Sequence, residues 1–130
     1  MLYSVLIYDT ESVIDALSEE EHKARLDRHL HFQDDPRDQQ ELGAVVKLMP
    51  TTTAVTLRGG PIEDTVLDGP FAETKEQLLG FYLIECPSLE AAVQQVKKLP
   101  LETGAVEIRP VAYFEGGNFK NGSPLVISDP

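Results

Sequence analysis

An α+β domain, in which an antiparallel sheet carries two helices on one face, is what this 130-residue sequence predicts. Short apolar runs rich in strand formers alternate with two helical segments, in the order β, α, β, a hairpin, β, α, β. Helices are fewer than strands, and each is long enough to cover one sheet face, which points to a ferredoxin-like arrangement. The length is that of one domain, enough to bury a sizeable core without metal or disulfides. Its one cysteine, Cys86, rules out an internal disulfide.

The elements follow in order. "LYSVLIY" (2–8) is a strand ended by Asp9. Ser18 then opens a helix. It is a good N-cap, Glu21 stands at the capping-box spacing, and three acids fill the first turn, where the helix dipole favours them. Leu17 precedes the cap, but His22 occupies the apolar position a staple needs. Pro36 is hard to place in a helix interior, so the helix is expected to end near Asp34, with a further turn before Gly43. "AVVKLM" (44–49) reads as a strand. "TAVTL" and "IEDTVL" flank Arg58-Gly59-Gly60-Pro61 and read as a hairpin whose glycines supply positive φ. "LLGFYLIEC" (78–86) is the clearest strand, with Cys86 as core. "SLEAAVQQVKKL" (88–99) is a helix capped by Ser88 and stopped by Pro100. "AVEIRPV" (105–111) is the last strand, and beyond it glycines at 116, 117 and 122 mark loop. The expected division is a domain over 1–111 and an extension over 112–130.

The central strand is apolar on both faces: Leu79, Phe81 and Leu83 on one, Tyr82, Ile84 and Cys86 on the other. The first strand repeats this, with Tyr3, Val5 and Ile7 opposite Leu2 and Leu6. Both faces therefore need cover. Two helices supply one, and a second copy of the sheet is the economical cover for the other, so a homodimer is expected; the C-terminal tail folding over that face is the alternative.

Charge excludes some functions. Eleven basic against 22 acidic residues give a formal net charge of −11, which argues against nucleic acid and anionic membrane surfaces as partners. No apolar run is long enough to span a bilayer, and "MLYSVLIYDTES" lacks the basic region of a signal peptide, so a cytoplasmic protein is expected. No phosphate-binding glycine loop, dinucleotide fingerprint or zinc spacing is present, and no cofactor or metal is expected. "QDDPRD" lacks the spacing and glycine of a calcium loop.

The most distinctive stretch is "DGPFAETKEQLLGFYLIE" (68–85). On it, and on the run from "LYSVLIYD" through "EIRPV", the chain resembles the YciI-like family, within it the branch with a DGPF motif. The resemblance implies a ferredoxin-like subunit whose sheets pack face to face into a dimeric α/β barrel. The family is similar to small aromatic-degradation enzymes such as muconolactone isomerases, and members of the branch are often encoded beside extracytoplasmic-function sigma factors. In shorter members a histidine near the start of the first helix pairs with an aspartate beyond the second. "EEHKARL" places His22 at the histidine's position, whereas "KKLPLETG" offers no aspartate. Asp68 is the nearest motif-level replacement.

On the first helix His22, Leu26, His29 and Gln33 share a stripe, because steps of three, four and seven return to one face. Imidazole is the usual acid/base near neutral pH, so His22, with Asp68, is the candidate catalytic group. The two histidines lie about 10 Å apart along the helix, too far to ligate one metal together. Asp68 precedes Gly69-Pro70 and can equally be a structural residue that holds the turn. Gly69 is expected at positive φ, and Phe71 is expected to anchor the turn into the core. Glu73 and Lys75, with His29, are the candidate ligand-binding residues; the bland alternative for the charged pair is a solvated run. Two functions fit: a small cofactor-free enzyme with a histidine acid/base acting on a small organic substrate, or a non-catalytic ligand-binding or accessory module.

Overall fold

The computed structural model of the chain describes residues 1–60 and 65–119. In chain order the elements are β1 (Leu2–Asp9), α1 (Glu11–Asp15), α2 (Glu19–Asp38), β2 (Leu42–Lys47), a 3₁₀ turn (Thr51–Thr53), β3 (Val55–Arg58), β4 (Thr65–Asp68), β5 (Gln77–Glu85), α3 (Leu89–Val96) and β6 (Ala105–Pro110). Four strands form an antiparallel sheet in the order β2-β5-β1-β6, the ferredoxin-like order, and β3-β4 is a separate two-stranded ribbon.

Strand pleating sorts the core. Tyr3, Val5, Tyr82 and Ile84 alternate along β1 and β5 and are buried with Phe32, Cys86, Ala92, Val96 and Leu99 from the helical layer and its connections. The residues between them, Leu2, Leu6, Leu79, Phe81 and Leu83, stay half-buried. At the end of β1 the buried Asp9 carboxylate accepts hydrogen bonds from the Thr10 N–H (2.8 Å) and the Thr103 hydroxyl (2.7 Å), tying β1 to the entry of β6.

α2 begins as its sequence dictates. The Ser18 hydroxyl accepts from the Glu21 N–H (3.1 Å), and the Glu21 carboxylate accepts from the Ser18 N–H (3.0 Å). It does not end near Asp34. It runs to Asp38 with Pro36 inside and buried. Proline at 36 has no N–H to give the Phe32 carbonyl, the partner four residues back. The Gln95 side-chain amide of α3 gives that bond instead, at 3.0 Å. The helices are further joined at their ends. Arg28 donates to the Lys98 and Leu99 carbonyls (3.3 and 2.7 Å), which lie just past the C-terminus of α3, where a cation complements the dipole.

Four other expectations change. The hairpin forms, but six residues, 59–64, join its strands, and neither Gly59 nor Gly60 adopts positive φ. The two-residue turn that needs those dihedrals is excluded by the spacing, since β3 ends at Arg58 and β4 begins at Thr65. Pro61 and residues 62–64 of the expected second strand lie outside the described residues, as does Gly122 of the tail. Phe71 is 71% exposed rather than a core anchor. Its carbonyl accepts from Arg58 (3.0 Å), so backbone bonding holds this turn and the ring is left out. α1 was not anticipated, and α3 is shorter than the span 88–99, although the Ser88 cap is made to the Ala91 N–H. Gly69 does take positive φ, +95°, and its N–H donates to the Ala54 carbonyl (2.6 Å).

Candidate functional site

A groove of about 510 Å³ runs between the first half of α2 and the β2-β5 side of the sheet, closed at one end by α1 and the Met49-Pro50 bend. Its origin lies in the composition of α2. The helix buries only Phe32 and Pro36, both in its second half. On the same side His22, Arg25 and Leu26 of its first half line the groove, followed by His29 and Gln33 at the start of its second. The helix is thus pinned at one end by apolar contact and stands off the sheet at the other. The floor is apolar, with Ile7, Val45, Leu78 and Gly80 contributing. Gly80 is required there. A Cβ at that position would lie 2.3 Å from the Val46 carbonyl oxygen, so only glycine lets β2 come this close.

The two imidazoles of the groove sit in different surroundings. His22 is exposed, in the first turn of α2. His29 is half-buried, and its Nδ1 lies 2.7 Å from the Tyr82 hydroxyl. The same hydroxyl accepts from the Gln33 amide nitrogen (3.0 Å), and Arg37 donates to the Gln33 amide oxygen (2.9 Å). Tyr82 stacks at a tilt on Phe32, with centroids 4.7 Å apart, so its ring belongs to the core while its hydroxyl reaches the groove. Burial, reinforced by the positive charges of Arg25, Arg28 and Lys47, pushes the His29 imidazole down to about 4. Burial also pushes the Tyr82 hydroxyl up. Near neutral pH His29 is therefore an uncharged imidazole and Tyr82 an intact phenol.

Of the residues singled out from sequence, the structure brings His22 and His29 into one groove. Asp68, Glu73 and Lys75 do not line it. Asp68 closes β4, opposite Val55 in the ribbon. The Lys75 carbonyl accepts from the Thr10 hydroxyl (3.0 Å), just before α1. The carboxylates that do share the groove are Glu11 and Asp15. Glu11 is committed: both its oxygens are held by Thr51, one by the backbone N–H (2.9 Å) and the other by the hydroxyl. Sequence reading missed Arg25, Lys47 and Tyr82. Arg25 follows His22 by three and precedes His29 by four, so helical spacing alone could have found it. Among the described residues Arg25 and Lys47 form no ion pair, and no cluster of three or more His, Cys, Asp or Glu is placed to hold a metal ion. No helix among them is long and apolar enough to cross a membrane.

Residues 1–115 match the family model described as the YCII-related domain. An uncharacterized protein of Rhizobium meliloti (strain 1021) is 47% identical over 120 residues, which are 90% of this chain and 97% of that relative.

Proposed function

The chain belongs to the YCII-related domain family, and from that premise we propose that it is a small cofactor-free enzyme, a cytoplasmic homodimer, that uses His22 as acid/base on a small organic substrate held in the α2–sheet groove. The observation that carries this reading is the groove itself: a largely apolar cleft of about 510 Å³ with an exposed imidazole at one end and a half-buried one further in. Apolar walls with a few convergent polar groups suit a small ligand. An imidazole open to solvent can exchange the proton it takes or gives. Asp15, the lining carboxylate that Thr51 does not hold, is the one this reading assigns to assist His22. The reading gives Asp68, Glu73 and Lys75 no part within a single subunit's groove.

The homodimer is supported by apolar surface that one chain leaves uncovered. Besides the half-buried Leu2, Leu6, Phe81 and Leu83, the ribbon exposes Val55, Leu57 and Val66, and the segment after β6 exposes Tyr113, Phe114 and Phe119. In this reading 1–111 is the domain and 112–130 an extension.

The test is proton exchange. The protein is incubated in deuterated water with a panel of small enolisable ketones and lactones, and exchange or isomerisation is followed by proton NMR. Catalysis above buffer, lost in a folded His22→Ala variant, is the expected result. Ligands that bind the groove while the parent protein turns none of them over would instead identify a binding module.

A further inference from the structure

The Arg37–Gln33–Tyr82–His29 chain has a direction, and the direction decides what His29 offers the groove. A guanidinium only donates, so the Gln33 oxygen faces Arg37 (2.9 Å) and the amide NH₂ faces Tyr82. The Tyr82 oxygen accepts that bond at 3.0 Å, and its own proton is left for His29 Nδ1 at 2.7 Å. An imidazole whose Nδ1 accepts carries its proton on Nε2. Among the described residues Nε2 has no partner, and the ring lines the groove. The charges that act on it most are positive, Arg25 and Arg28 from its own helix and Lys47 from β2; the groove's two carboxylates, Glu11 and Asp15, belong to α1, and Glu11 is held by Thr51. Arg28 is occupied by Glu102 (2.6 Å), whereas Arg25 and Lys47 line the groove without an ion pair among the described residues. In a chain with twice as many acids as bases, two unpaired cations beside an unpartnered N–H form a place for negative charge.

We propose that His29 is a substrate-positioning residue: a neutral imidazole, fixed as its Nε2–H tautomer by Tyr82, Gln33 and Arg37, that donates to an anionic oxygen of the ligand, a carboxylate or an enolate, between Arg25 and Lys47. This rests on the groove being the ligand site. His22 exchanges protons, whereas His29 holds one and does not give it up. Arg37, although outside the groove, sets the donor by fixing the Gln33 amide.

The experiment reads tautomer and binding separately. Long-range ¹H–¹⁵N correlation at pH 7 should show His29 with Nε2 protonated and Nδ1 bare, and Tyr82→Phe should mix the tautomers. An Nδ1–H tautomer or an imidazolium in the parent protein overturns the proposal, whatever binds. Benzoate stands for a carboxylate end, 4-nitrophenolate for an enolate, and benzamide for the uncharged shape. The parent protein should bind at least one anion more tightly than benzamide. His29→Phe should weaken that anion by about tenfold or more, the effect of losing one charge-assisted hydrogen bond. His29→Gln, whose amide can donate near Nε2, should restore most of the loss. Equal binding of benzamide and both anions, or anion binding indifferent to His29→Phe, overturns the proposal and leaves the groove as a ligand site. Absence of binding by all three probes overturns the groove reading and the proposal with it.

Discussion

Replacing Gln95 should cost stability only because residue 36 is a proline. The Phe32 carbonyl lies under the proline ring, with no helical N–H to pair it, and accepts from the Gln95 amide at 3.0 Å. Gln95→Met keeps the side chain's length and removes the donor. A buried carbonyl left unpaired costs about 1–3 kcal/mol. In a Pro36→Ala background the N–H of residue 36 closes the ordinary bond to Phe32, so the same Gln95→Met change should cost only a few tenths of a kcal/mol, that is ~0.3. The coupling between the two sites is then roughly 0.7–2.7 kcal/mol. Urea unfolding of the four proteins, at one protein concentration so that association does not confuse them, measures it. With a slope of about 2 kcal/mol per molar for a chain this small, Gln95→Met should lower the midpoint by roughly 0.5–1.5 M in the proline background and hardly at all in the alanine background. An equal loss in both backgrounds would refute the substitution of side chain for backbone, and with it the account of how α2 continues through Pro36.

Four further outcomes are expected. Folded His29 takes up its second ring proton only near pH 4 and an unfolded histidine near 6.5, so between those values the unfolded chain binds more protons. Stability should fall as pH falls through that window, by less than the one-proton slope of ~1.4 kcal/mol per pH unit because the ring is partly exposed, and His29→Gln should flatten this part of a pH series of urea midpoints. Gly80→Ala should destabilise by about 1–3 kcal/mol, since its Cβ would meet the Val46 carbonyl at 2.3 Å and the strand must move; an unchanged thermal midpoint would count against the close approach. Gly69→Val should also cost about 1–3 kcal/mol, here from φ of +95° alone, because nothing lies within 4 Å of an added Cβ; Gly69→Asn, which tolerates that region, should cost less in the same melt. Sedimentation at micromolar concentration should give a dimer, and Phe81→Glu or Leu83→Glu should dissociate it, whereas Tyr82 and Ile84 face the helices; a monomeric parent protein removes the homodimer.

The strands and the start of α2 were legible because their signals are local. Apolar runs bounded by Asp9 and by Pro87-Ser88 need no tertiary knowledge, and the Ser18–Glu21 box is complete within four residues; Gly43 is no boundary, since the strand expected over 44–49 runs over Leu42–Lys47. The positive φ of Gly69 was legible for the same reason. What failed was local inference about groups whose partners are distant. Pro36 reads as a helix stop because Gln95, 63 residues from Phe32, cannot be counted from the sequence of α2. Phe71 looked like an anchor because an aromatic ring in a turn usually is one, yet Arg58 holds the turn through the backbone. α1 has five residues and no side-chain cap, so it leaves neither a period nor a boundary to read.

The site divides along the same line. That His22 and His29 share a face follows from helical arithmetic; that they differ does not. The difference is made by Tyr82, 53 residues from His29 and legible in sequence only as one apolar position of a strand. Its ring completes the core against Phe32, and the same burial dries the surroundings of His29 and leaves the hydroxyl one nitrogen to bond. Gln33, one turn beyond His29 on the same stripe, and Arg37, one turn beyond Gln33, pass the orientation along. One helix therefore presents a solvent-exposed imidazole in its first turn and a half-buried, hydrogen-bonded one two turns later. What separates them is whether the helix at that point stands off the sheet or is drawn down onto it by Phe32 and Pro36.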